Sequence, residues 1–293
     1  MKARCVLQAQ AGLAEGPHWW AEKGVLLWVD IEASRVGLFD PVTGLNRFLV
    51  VPSHVGAVVP MSDGELLVAT AQGFVRLHPD SGVVSSLQDP EHDRPGNRFN
   101  DGKCDPWGRF WAGTMAYDFA AGAGSLWRVN ADFSCVRQRQ GLTISNGLAW
   151  SQDRGTLYFI DSPTRQVLAF PLTPSGDLSG EATPCITIPK AWDALPDGMC
   201  IDAEGKLWIA LFGGGAVTRW DPVSGLLLER LELPCRQVTS CCFGGPNLDQ
   251  LFVTTARQQM DAAAIKAEPL AGGLFHADVG VKGLAAACFQ VAG

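Results

Sequence analysis

Four oxygen-bearing side chains recur at one place in the chain's internal pattern. They are Glu15 in Leu13-Ala14-Glu15-Gly16-Pro17, Asn100 in Arg98-Phe99-Asn100-Asp101-Gly102, Asn146 in Ile144-Ser145-Asn146-Gly147 and Asp197 in Leu195-Pro196-Asp197-Gly198-Met199. Each lies 10 or 11 residues ahead of a short apolar run. At the same place the second repeat has Val55-Gly56 and the sixth has Ser240. Two carboxylates brought together repel and raise each other's pKa unless a cation lies between them. Carboxylate and amide oxygens suit hard divalent ions, calcium, magnesium or manganese, and leave zinc and iron open. Glu15, Asn146 and Asp197 together make a metal-ligand set with positions left over for water or a substrate. That openness marks catalysis rather than a closed structural site. Asn-Gly and Asp-Gly are also ordinary turn pairs. Turn chemistry would not select Glu15, and it would not favour this register over a surface turn such as Asp63-Gly64.

Arg98 stands two residues before Asn100, and along a strand such residues point to one side. If Asn100 faces the site, Arg98 faces it too, with a guanidinium able to grip hydroxyl-rich or anionic groups in pairs of hydrogen bonds. A surface position for Arg98, or an internal pairing with Asp118 or Asp101, is the competing reading. His18 reads as packing beside Glu15, His54 as a residue that could face the same channel, and Trp19, Trp20 and Trp192 as residues that could border the pocket. There is no Gly-x-Ser-x-Gly elbow, no His-Glu-x-x-His pair and no phosphate-binding Gly-Lys-Ser/Thr loop. Gly213-Gly214-Gly215 reads as a tight turn between strands.

The elements that carry these residues repeat. Apolar runs begin at Leu26, Leu66, Phe110, Leu157, Leu207 and Leu251. Each follows a turn signal and precedes a second short strand, as in Arg35-Val36-Gly37-Leu38-Phe39 and Ala216-Val217-Thr218-Arg219-Trp220. A period of about 45 residues with about four strands has the size of a propeller blade. The expectation is an all-β, six-bladed β-propeller, one domain spanning 1–293, with no helical stripe longer than two turns. Innermost strands line the axis, so equivalent positions of different blades meet there. Residues Ala3 to Gln8 read as a strand that joins the last blade and closes the ring.

Composition agrees with a globular chain: 47% hydrophobic, 18% charged, net charge −7. Scattered Lys and Arg argue against nucleic acid or an acidic membrane surface as partner. No signal-like segment and no membrane-length apolar run is present, and nine irregularly spaced Cys read as reduced thiols, so the expected compartment is the cytoplasm. A monomer or small homo-oligomer is expected.

With these residues in view, the chain resembles the family of gluconolactonases and regucalcin (senescence marker protein). The likeness runs through Glu15-Gly16-Pro17, Trp28-Val29-Asp30-Ile31, Arg98-Phe99-Asn100-Asp101-Gly102-Lys103, Ala112-Gly113-Thr114-Met115 and Ile144-Ser145-Asn146-Gly147-Leu148. It continues from Pro196 through Trp208 and in Thr239-Ser240-Cys241-Cys242-Phe243-Gly244-Gly245. The resemblance implies one divalent metal held at Glu15, Asn146 and Asp197, lactonase activity on a small sugar lactone, and substrate contacts from Arg98 and Asn100. The family has Glu where this chain has Asp118, a further candidate substrate residue able to orient Arg98, and the loop Tyr117 to Ala123 is shorter here. Asp197 is the expected general base. Gluconolactone, xylonolactone, arabinolactone and 6-sulfogluconolactone stay open as substrates. A calcium-binding regulatory propeller without turnover and a metal-dependent arylesterase or phosphotriesterase are the alternatives.

Overall fold

The computed structural model describes residues 2–292. Its strands form six four-stranded antiparallel sheets. The innermost strands are Ala14–Trp20, Val55–Pro60, Asn97–Cys104, Ser145–Trp150, Leu195–Ile201 and Val238–Gly244. Each packs against the innermost strands of both neighbouring sheets, the sixth against the first, so the sheets are blades of a closed ring. The six-bladed propeller read from the repeat is the observed architecture.

Five blades use consecutive strands. The sixth takes its outermost strand, Arg4–Leu7, from the other end of the chain. This strand pairs antiparallel with Leu274–Asp278, placing Arg4 opposite His276 and Cys5 opposite Phe275. The expected closure is present. It covers an edge that would otherwise expose unpaired backbone groups.

The second strand of each blade reads as a continuous apolar run because both its faces are covered. In Leu207–Phe212, residues Leu207 to Leu211 are all fully buried. Six apolar clusters fill the six seams between adjacent blades. Trp28, Trp111 and Trp208 are fully buried in these runs, and each indole N–H finds an oxygen. Trp111 Nε1 donates to Asp105 Oδ2 at 2.8 Å, and Trp208 Nε1 donates to Asp202 Oδ2 at 3.0 Å. The same two aspartates accept backbone N–H groups of the preceding turns, so one carboxylate fixes both a turn and a packed indole.

Beyond Asp278 the chain crosses the face remote from Glu15 and Asp197. Phe289 is fully buried there, donating its N–H to Pro60 O and accepting from Ser62 N, both at 2.8 Å. Among the described residues, helix is confined to one α-helical segment, Ala262–Ala267, and two 3₁₀ turns. Among the described residues no helix is long and apolar enough to cross a membrane. All nine Cys are free thiols, five of them buried.

Candidate active site

Every innermost strand slips register against its neighbour at one level. The slips fall between Glu15 and His18, Val55 and Ala57, Phe99 and Asp101, Asn146 and Leu148, Pro196 and Met199, and Val238 and Ser240. A bulge leaves a residue without a cross-strand partner and turns side chains out of the pleat, a recurrent device beside active sites. Six bulges at one height therefore aim side chains into one axial mouth. Glycine allows the backbones to meet there. A methyl group on Gly56 would lie 2.5 Å from Phe99 O, and one on Gly147 would lie 2.7 Å from Asp197 O.

Glu15, Arg98, Asn100, Asn146 and Asp197 line one cavity of about 270 Å³ at this mouth. All five are less than a tenth exposed. The expected convergence of blades one, three, four and five is what the ring produces. Glu15 Oε2 accepts from Gly16 N at 2.8 Å. Ser162 Oγ donates to Pro196 O at 2.7 Å, so it must accept from Asn146 Nδ2, 3.0 Å away. That bond fixes which end of the Asn146 amide is nitrogen. The other end, Oδ1, is buried without a hydrogen-bond partner. An orphaned buried acceptor costs about 1–3 kcal/mol, and a cation would satisfy it.

Electrostatics point the same way. Burial, then the charges of Asp197 and Asp101, push the Glu15 carboxyl well above the usual carboxylate range. Burial and Asp101 push Asp197 up as well, against the pull of the Asn146 amide and the Gly198 N–H. A divalent ion would reverse both shifts. Among the described residues no three His, Cys, Asp or Glu side chains gather as a metal site. The donors here are two carboxylates and an amide, a set suited to calcium, magnesium or manganese.

Arg98 and Asn100 belong to the same wall. Arg98 Nη1 donates to Phe99 O at 3.0 Å and to Asn100 Oδ1 at 2.8 Å, and Asn100 Nδ2 donates to Ser145 O at 3.0 Å. Asn100 keeps one N–H for a ligand. Arg98 pairs with neither Asp118 nor Asp101. Asp118 is exposed on the rim, where Oδ1 accepts from Ala120 N at 3.1 Å, and it does not line the cavity. Its neighbour Phe119 does. His54 faces an adjoining lobe of about 380 Å³, beside Tyr117. Trp19, Trp20 and Trp192 do not border the site, because Trp19 and Trp20 pack within the blade seams and Trp192 packs against Trp220.

Two residues escape a sequence reading. Asp101 is buried just below the cavity, its Oδ1 accepting from Gly102 N at 2.7 Å. Lys103 reaches across the channel to donate to Met199 O at 2.6 Å. Alternation from Asn100 would point both the other way, but the bulge shifts the parity. His18 lies at the far end of the channel, where burial and Lys103 push its imidazole pKa down to about 3.

Residues 13–257 match the family described as the SMP-30/Gluconolactonase/LRE-like region. The chain belongs to this family. The protein described as "Putative sugar lactone lactonase YvrE" of Bacillus subtilis is 39% identical over 277 residues, covering 94% of each chain. Regucalcin of Xenopus laevis is 38% identical over 295 residues, covering 99% of this chain and 98% of its own. The crystal structure of a calcium-binding protein, regucalcin, from Agrobacterium tumefaciens superposes with a TM-score of 0.94 at 31% identity, covering 99% of this chain and 97% of that one. Glu15, Asn146 and Asp197 all fall within the matched region of the family.

Proposed function

We propose that this chain is a sugar lactonase that hydrolyses an aldonolactone to the free acid with one divalent metal ion, its substrates including modified lactones such as 6-sulfogluconolactone. The observation that carries the reading is the orphaned Asn146 Oδ1 sharing a buried cavity with two carboxylates. A divalent cation held by Glu15, Asn146 and Asp197 would supply Lewis-acid polarisation of the lactone carbonyl. Calcium is favoured by the oxygen-only donors and by the calcium-binding description of the Agrobacterium regucalcin.

Asp197 accepts a proton from the attacking water, a role suited to a carboxylate that lines the cavity wall beside the metal-ligand set. The water oxygen bonds to the carbonyl carbon and the ring C–O bond breaks. The proton passes to the departing ring oxygen, giving one hydroxy acid. Asn100 donates its remaining N–H to a sugar hydroxyl, and Arg98 faces the end of the substrate remote from the carbonyl. Apolar walls from the buried Met115 and the half-buried Ile144 limit bulk water around the reacting carbonyl.

Acid release from aldonolactones, followed with and without EDTA and after addition of calcium, manganese, magnesium or zinc, tests the proposal. Hydrolysis should vanish on chelation and return with metal. Unchanged turnover in excess EDTA would overturn the metal role. Turnover of an aryl ester or organophosphate with no lactone hydrolysis would overturn the substrate class.

A further inference from the structure

A second chamber of about 250 Å³ lies at the end of the channel remote from Glu15 and Asp197. It shares no lining residue with the cavity of the candidate active site. Its lining includes Lys103 and Arg154 and no Asp or Glu, in a chain whose net charge is −7. Lys103 Nζ donates one N–H to Met199 O at 2.6 Å, and an ammonium has three. Asp101 feels the Lys103 charge, yet neither Lys103 nor Arg154 forms an ion pair among the described residues. Two neutral side chains add to this. Trp150 and His18 line the chamber, each 5% exposed, and Trp150 Nε1 and His18 Nε2 are buried without a hydrogen-bond partner. The indoles of Trp28, Trp111, Trp127, Trp208 and Trp220 all donate to an oxygen, so Trp150 departs from the habit of the other blades. Burial and Lys103 hold the His18 imidazole neutral, which leaves the positive charge of the chamber to Lys103 and Arg154.

Much of the remaining wall is apolar, from Ala149, Ile201, Phe243 and Leu284. Leu284 belongs to the C-terminal segment that crosses this face. The segment is pinned at Gly283, whose N–H donates to Leu248 O at 2.7 Å, and at Phe289, whose N–H donates to Pro60 O at 2.8 Å. Between these pins, residues 284–288 make no backbone hydrogen bond among the described residues. Residues 284–287 form the outer wall of the chamber, and Ala285 and Ala286 are exposed on its outside. A stretch held by so few bonds opens locally at low free energy, which gives a ligand a way in. A buried water would satisfy a single donor but would leave the cationic lining unmatched.

We infer that this chamber binds a small monocarboxylate with an apolar body, its carboxylate on Lys103 Nζ and the Trp150 N–H, its body against Ile201, Phe243 and Leu284. A charged N–H beside a neutral one suits the two oxygens of a carboxylate. A fully polar anion such as phosphate would leave the apolar wall without a partner, and a neutral ligand would leave Lys103 unmatched. Ordinary ligand clefts hold about 300–1,000 Å³, so a chamber below that range takes a ligand the size of a single ring. The site is separate from the lactone cavity and stands whether or not the chain is a lactonase.

Calorimetry on the metal-loaded protein, comparing benzoate with benzyl alcohol and inorganic phosphate, tests this for wild type, Lys103→Met, Lys103→Arg and Trp150→Phe. Wild type should take one benzoate per chain, roughly tenfold or more tighter than either comparison ligand. Lys103→Met should lose that margin, Lys103→Arg should keep most of it, and Trp150→Phe should weaken benzoate severalfold. Neither EDTA nor saturating gluconate should alter benzoate binding, because the chamber is remote from the metal-ligand set. Loss of binding under either condition would place benzoate at the lactone cavity and overturn the inference. So would equal binding of benzoate and benzyl alcohol, or no saturable benzoate binding up to millimolar concentration. Unchanged benzoate affinity in both Lys103→Met and Trp150→Phe would overturn it too, and tighter binding of phosphate would overturn the apolar body. If Lys103→Met fails to fold, the ligand comparison on wild type and Trp150→Phe still decide the matter.

Discussion

Arg98 Nη1 and Asn100 Oδ1 are 2.8 Å apart, so the two side chains form one unit on the wall of the site. Asn100→Ala should release the guanidinium as well as remove a substrate contact. Each single alanine variant should lower kcat/KM by roughly tenfold or more with metal still bound. The double variant should lose little beyond the worse single. Kinetics with metal content measured on the same samples checks this. Fully additive losses would show the residues acting independently, and metal loss in Asn100→Ala would make Asn100 a ligand.

Asp197→Ala removes a proposed ligand and the proposed base together. Metal affinity and hydrolysis should both collapse, and excess metal should not restore the rate. Glu15→Gln removes only charge from the ligand set, so its rate should recover in part as metal is raised. Metal stoichiometry beside initial rates separates the two. Wild-type turnover by Asp197→Ala would show the assignment to be wrong.

The metal-free protein should be destabilised by its own site. The Glu15 carboxyl is pushed up by burial and by Asp197 and Asp101. A raised folded-state pKa favours the fold below the ordinary value of about 4.3, and that contribution is lost as pH climbs through the interval up to the raised value. In EDTA at neutral pH, Glu15→Gln should therefore melt above wild type, by roughly 2 °C or more. The gap should close as pH falls toward the ordinary carboxylate range, and saturating metal should reverse the order. Thermal melts across pH, with and without metal, read this directly. A lower melting point for metal-free Glu15→Gln at neutral pH would contradict it.

Gly147→Ala should act on the site through the backbone. Its methyl group would sit 2.7 Å from Asp197 O and 2.8 Å from Ile160 Cδ1. Overpacking of this kind costs about 1–3 kcal/mol, and relief here requires Asp197 to move. A lower melting point accompanied by weaker metal binding is expected. Destabilisation with unchanged metal affinity would mean that the ring yields elsewhere.

The ring was legible in the sequence because each blade repeats one buried run after one turn, as Phe110-Trp111 and Leu207-Trp208 show. The candidate ligands were legible because propeller symmetry turns equal register into equal position. Asp101 and Lys103 were hidden for a related reason: the bulge at Asn100 breaks the alternation that would have placed them. The outer wall was hidden too. Phe119 and Gln258 come from irregular loops that carry no register, and Asp118 turns to its own backbone instead of the cavity. The free Oδ1 of Asn146 follows from the Ser162 hydroxyl, sixteen residues away and outside the repeat's inner strand.

The closure between Arg4–Leu7 and Leu274–Asp278 also sets an order of events during synthesis. The first of these strands leaves the ribosome early and has nothing to pair with until nearly all the rest has emerged. Until then the growing arc carries two open sheet edges, and the first blade's seam lacks the cover of the last. Pairings so distant in sequence form slowly, and open edges invite association between chains. Nascent arcs should thus be the aggregation-prone form, and the finished ring, once latched, should open only as a whole.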